Sequence, residues 1–97
     1  MPQFVQSEQQ RELISSLVQE LPAYRKKMRM SQAELGDAVG KSRQKISEME
    51  RGSAPLGWDT YLAILMVLGG HGVLEPRGRD AERLAATGRL IGGRIRF

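Results

Sequence analysis

The sequence predicts an all-α fold organised around two short helices joined by a tight glycine turn. Three stretches carry that expectation. Ser31 to Gly52, SQAELGDAVGKSRQKISEMERG, holds two capped helical patterns on either side of Gly40. Ahead of it, Leu13, Ile14, Leu17, Val18 and Leu21 recur at helical spacing. Behind it, Tyr61, Leu62, Leu65 and Leu68 do the same.

In chain order, residues 1–6 are a loose end with Phe4 and Val5 available to dock. Ser7 with Gln10 forms a plausible capping box ahead of the first amphipathic pattern. Pro22 lacks an N–H and clashes with the preceding turn, so the expectation is one kinked helix to about Lys27 or two pieces meeting at Pro22. Tyr24 and Met28 continue the buried face. Ser31 and Glu34 make the S-x-x-E capping box of the next helix, with Leu35, Ala38 and Val39 on one face. Gly40 supplies the left-handed residue that helices commonly end on. Ser42 caps the following helix, where Ile46, Met49 and Glu50 stand at i, i+3 and i+4. A turn-rich SAPLG loop precedes the pattern from Trp58 to Leu68, which Gly69-Gly70 stops. His71 to Glu75 suggests a brief strand, and Asp80 a cap for a helix AERLAAT closed by Gly88. In the tail LIGGRIRF, Ile91, Ile95 and Phe97 allow either a strand or a disordered end.

Composition narrows the function classes. Ninety-seven residues with 40% apolar content suit one domain with a modest core, to which dimerisation would add stability. The net charge of +4 and a pI near 10.0 favour an acidic partner such as nucleic acid. The basic residues are concentrated: positions 25–51 hold eight Lys/Arg against four acids, and 75–97 six Arg against three, whereas 1–24 hold one against three. The absence of cysteine excludes disulfides, thiol nucleophiles and thiolate metal sites. The apolar run from Tyr61 to Leu68 is far too short for a membrane span, and the first ten residues lack a signal pattern. A soluble, cytoplasmic protein is expected.

The chemistry sits on the helix after Ser42. Its outward face offers Arg43, Gln44 and Ser47, with Lys45 at its side. Arg and Gln pair bidentately with guanine and adenine edges. On an isolated helix such a set would be no more than a solvated face; next to the glycine turn it outlines a reader of double-stranded DNA. No Ser/His/Asp set is spaced for catalysis, so an enzyme is not expected. The single His71 has no second His or Cys to complete a metal site, and neither cofactor nor metal is expected. Gly69-Gly70-His71-Gly72 lacks the strand and lysine of a phosphate loop. Trp58 and Tyr61 stand at core spacing, and the leucines and isoleucines among the C-terminal arginines favour protein contact over a purely electrostatic arm.

Residues 13–68 resemble the Xre/Cro-type family of helix-turn-helix domains. The resemblance lies in Arg25, Ser31-Gln32-x-Glu34-Leu35, Val39-Gly40, Ser42-Arg43-x-x-Ile46-Ser47, Glu50-Arg51-Gly52, Pro55 and Asp59-Thr60. It implies a five-helix, lambda-repressor-like all-α fold whose helix from Ser42 enters the major groove. On matching positions it implies Arg43, Gln44, Glu48 and Ser47 at base edges, and Gln32, Lys45, Arg51, Ser31 and Lys41 at phosphates. It also implies an Arg25–Glu50 ion pair tying the first helix to the recognition helix. Three positions depart from the family pattern. Gly36 replaces a common Ala, at a cost of about 1 kcal/mol to its helix; Arg29 replaces a glycine; and Lys41 replaces an apolar residue. Beyond Leu68 the chain is similar to HipB-like antitoxins, which implies a strand Gly72 to Glu75 pairing across a homodimer, with autorepression and a HipA-like kinase toxin as partner. Val73, Leu74, Trp58 and Tyr61 are then the dimer residues. The expected organisation is an extension and helix start at 1–12, the DNA-binding domain at 13–70, and a strand with a basic tail for dimer or partner contact at 71–97. The alternative function is an interaction protein whose main task is to neutralise the toxin.

Overall fold

The computed structural model describes residues 6–92; Phe4, Val5, Ile95 and Phe97, given roles above, lie outside them. Five helices follow one another: α1 Glu8–Met28, α2 Gln32–Val39, α3 Arg43–Glu50, α4 Trp58–Gly70 and α5 Arg79–Leu90. Helix α1 is the spine, against which α3, α4 and α5 all pack. It starts at a capping box in which Ser7 Oγ accepts from Gln10 N–H and Gln10 Oε1 accepts from Ser7 N–H. It then runs as one helix through Pro22. An interior proline costs a helix about 3 kcal/mol. Burial on both sides of it, with Leu17 and Leu21 fully inside and Tyr24 nearly so, offsets that cost.

Leu35 of α2, Ile46 and Met49 of α3, Leu56 of the following loop, and Tyr61, Ile64, Leu65 and Leu68 of α4 complete the core. Helix α4 begins at Gly57 without a side-chain cap and is apolar on nearly every side. None of the helices described is long and apolar enough to cross a membrane.

The structure corrects three expectations at the C-terminal side. No strand forms among the described residues, and Gly72 to Glu75 belong to a loop. A strand needs a neighbour for its backbone groups. Here Val73 N–H turns back to the Leu68 carbonyl and Glu75 N–H goes to Asp80 Oδ2 at 2.8 Å, while Val73 and Leu74 pack onto the core. The HipB-like resemblance loses the element it rested on. Asp80 does not cap α5 either: Gly78, at φ 75°, holds the cap position, and the Asp80 side chain turns inward. Nor does Gly88 close that helix; it is buried within α5, which continues to Leu90. Residues 79–90 are thus a packed helix, joined to α1 by a polar seam.

Gly36 requires a further correction. It is buried, and a Cβ there would collide with the Lys41 carbonyl oxygen and press on Lys41 and Ser42 backbone carbons at 3.3 and 3.4 Å. The glycine is the space into which the turn after α2 folds. Its loss of helix propensity is the condition for that close approach.

Candidate nucleic-acid interface

Local capping sets the geometry of α2 and α3. Ser31 Oγ accepts from Glu34 N–H and Glu34 Oε1 accepts from Ser31 N–H, both at 3.0 Å. The Ser31 N–H, and after it the Ser31 hydroxyl, hold the exposed Glu34 carboxyl below its ordinary pKa. Helix α2 ends at Gly40, φ 73°, and Lys41 N–H donates to the Gly36 carbonyl at 2.8 Å. Ser42 then caps α3, accepting from Lys45 N–H at 3.1 Å. Arg29, which closes α1 at φ 56°, is the one non-glycine among the described residues in the left-handed conformation.

Helix α3 buries Ile46 and Met49 almost completely, which fixes its rotation about its own axis. Arg43 and Gln44 are therefore exposed, and Lys45, Ser47 and Glu48 are half-buried at the edges. Lys41 is half-buried in the turn and Arg51 exposed just past the helix. Among the described residues none of Lys41, Arg43, Lys45 or Arg51 is in an ion pair, so their charge is free to attract an anion.

Beneath this surface Glu50 joins three helices. Its carboxylate accepts from Arg25 Nε at 2.6 Å, Arg25 Nη2 at 3.0 Å and Gln32 Nε2 at 2.9 Å. Arg25 also donates to the Met30 carbonyl at 3.1 Å. The hydrogen bond and charge of Glu50 raise the Arg25 pKa, outweighing partial burial. Gln32, half-buried, thus has one N–H committed to Glu50, and its amide carries a second N–H. At Ser31 the capping hydroxyl can still donate, but Glu34 already places an anion beside it.

The four residues expected at a dimer contact separate. Tyr61 is wholly inside, its ring stacked on Trp58 at 4.7 Å and its hydroxyl 2.8 Å from Thr87 Oγ1, so it is no interface residue. Val73, Leu74 and Trp58 are all half-buried and packed against their own core.

Sequence reasoning missed the seam between α1 and α5. The side chain of Arg83, 2% exposed, donates to Tyr24 Oη and Ser16 Oγ, each at 2.8 Å, and to Glu20 Oε2 at 3.1 Å. Tyr24 in turn donates to Asp80, and Arg79 pairs with Glu20. Burial, then the Asp80 hydrogen bond, pushes the Tyr24 pKa far up, keeping it a neutral donor. Burial pushes Glu20 up as well, but hydrogen bonds from Arg79, Arg83 and Tyr24 outweigh it and leave that carboxyl below its ordinary value. The available signal was the spacing Asp80, Arg83, Thr87: one helical face that is polar rather than apolar, which a search for hydrophobic periodicity passes over.

The model of a helix-turn-helix domain family matches residues 16–78, well over half of the 97-residue chain, from within α1 to the residue before α5. No curated protein and no solved structure matches it.

Proposed function

The chain belongs to the helix-turn-helix domain family, and from that premise we propose that it is a sequence-specific DNA-binding repressor acting as a homodimer on an inverted repeat. The observation that carries the proposal is helix α3: capped by Ser42, anchored by Ile46 and Met49, and presenting Arg43 and Gln44 unencumbered. Placed in the major groove, Arg43 reads guanine and Gln44 adenine, with Glu48 and Ser47 at neighbouring base edges. Lys45, Lys41, Arg51, Gln32 and Ser31 take phosphates and set the register. Glu50 holds α1, α2 and α3 together, so base-reading and phosphate-contacting side chains move as one body. Two copies place their recognition helices about 34 Å apart, one turn of the duplex.

The test is binding to the DNA upstream of its own gene, titrated with salt beside a random duplex. Tight binding at an inverted repeat, two chains per site, is expected; equal affinity for both duplexes overturns the repressor reading. An antitoxin role would add a toxin partner to the same DNA reader. Co-purification with the product of a neighbouring gene tests it.

A further inference from the structure

The chain leaves each of the five helices described through a residue in the left-handed conformation. After α2, α3, α4 and α5 that residue is a glycine: Gly40, Gly52, Gly72 and Gly92, at φ between 67° and 76°. After α1 it is Arg29. The closing bonds fix the conformation there. Arg29 N–H donates to the Lys26 carbonyl at 3.1 Å and Met30 N–H to the Arg25 carbonyl at 3.0 Å. These are the paired bonds of a Schellman close, which needs a left-handed residue at this position. Glycine adopts it freely, whereas an L side chain is strained in it. Strain of this kind concentrates where a side chain has a task besides folding. The α1 C-terminus does not require the charge, since Arg25, Lys26 and Lys27 already stand in its last turn. Nor does a carboxylate hold the side chain: Arg29 is exposed and belongs to none of the ion pairs among the described residues.

We propose that Arg29 is a further DNA-backbone residue, taking a phosphate ahead of those met at the start of α2 and extending the footprint of the reader along the strand. The proposal rests on the DNA-binding reading above. Three observations carry it. The arginine keeps a strained conformation that the chain elsewhere gives to glycine. Its direction is set by its neighbours: Met28 is buried and Met30 packs against the core, so the turn between them sends the Arg29 side chain outward. Its place is set by the same network that holds α3. Arg25 donates through Nη1 to the Met30 carbonyl at 3.1 Å while its Nε and Nη2 hold Glu50. Arg29 therefore stands on a segment tied to the recognition helix, two residues before Ser31 and three before Gln32. A guanidinium suits this task, because its planar fork matches two phosphate oxygens and it stays charged at any working pH. A phosphate contact of this kind sets affinity and register and reads no base.

Arg29→Gly separates the two roles, since it relieves the backbone and removes the charge together. Its thermal midpoint is expected to rise by about 3–5 °C. Its affinity for the upstream DNA and for a random duplex is expected to fall alike, about five- to tenfold near 0.1 M salt, with the salt slope reduced by about 0.9. The ratio of the two affinities stays that of the parent. Arg29→Lys retains the charge and most of the slope. An Arg29→Gly protein with the parent's affinity and slope overturns the contact. So does a lowered midpoint, which would make the arginine a stabiliser of α1, and so does an Arg29→Lys loss as large as that of Arg29→Gly. If the slope is unchanged in Arg29→Gly while the parent prefers its upstream site, the contact fails and the repressor reading survives. If the slope falls but the parent binds both duplexes equally, the contact stands and the repressor reading fails. A parent that binds neither duplex overturns both.

Discussion

Replacing Glu50 with alanine removes the acceptor of three hydrogen bonds and leaves Arg25 with only the Met30 carbonyl. The Glu50 side chain is 6% exposed and that of Arg25 16%. Breaking a buried pair from one side costs about 3–5 kcal/mol, because the surviving charge is stranded. Arg25 retains a path to water, so the expected loss is nearer 2–3 kcal/mol. With an unfolding entropy of about 2.1 cal/mol/K per residue, a chain of this length loses about 5 °C per kcal/mol, or roughly 10–15 °C in all. Urea denaturation of the parent, Arg25→Ala, Glu50→Ala and the double variant forms a thermodynamic cycle. The double variant is expected to lose clearly less than the sum of the single losses, since the second deletion removes the stranded charge. Additive losses, or a Glu50→Ala loss under about 0.5 kcal/mol, as for a solvated surface pair, refute the view that Glu50 binds the three helices together.

Arg43→Ala should cost about 1–3 kcal/mol on the cognate site and relax specificity, whereas Lys45→Ala should weaken cognate and random DNA alike and reduce the salt slope by about one. An equal loss on both duplexes for Arg43→Ala, or an unchanged slope for Lys45→Ala, removes those assignments. Gly36→Ala would ordinarily strengthen a helix by about 1 kcal/mol; against the Lys41 carbonyl it should destabilise instead, by about 1–2 kcal/mol net of that gain, and a raised urea midpoint would show that the turn gives way freely. Glu20 has its folded pKa below the unfolded value of about 4.3. Its contribution is therefore complete above that pH and is lost as pH falls through the folded value. The parent should lose stability on acidification below about pH 4 more steeply than Glu20→Gln, and parallel profiles would argue that the seam's carboxylate is unlinked to folding.

Much of the fold was legible in local chemistry. Ser31 with Glu34, Gly40 and Ser42 specify where α2 ends and α3 begins through bonds spanning a few residues, and such bonds can be inferred from spacing alone. The apolar face of α3 follows from Ile46 and Met49, and once that face is buried the exposure of Arg43 and Gln44 follows as well. Glu50 was legible only through its resemblance to a family pattern, because its partners lie 25 and 18 residues away.

What the sequence determined by itself was the set of short-range decisions: the caps of the first three helices, the turn between α2 and α3, their helical registers and the basic bias of the middle of the chain. The tertiary structure decided the rest. It assigned residues 72–75 to a loop because their N–H groups found partners in α4 and α5 rather than in another strand. It also turned a stretch of C-terminal arginines into a helix seated on α1, because Arg83 finds Ser16, Glu20 and Tyr24 across some sixty residues of chain. And it made Gly36 necessary, through the approach of the Lys41 carbonyl. Hydrophobic periodicity reports which face of a helix is apolar, but a buried polar face is stabilised by partners that only folding brings within hydrogen-bond distance.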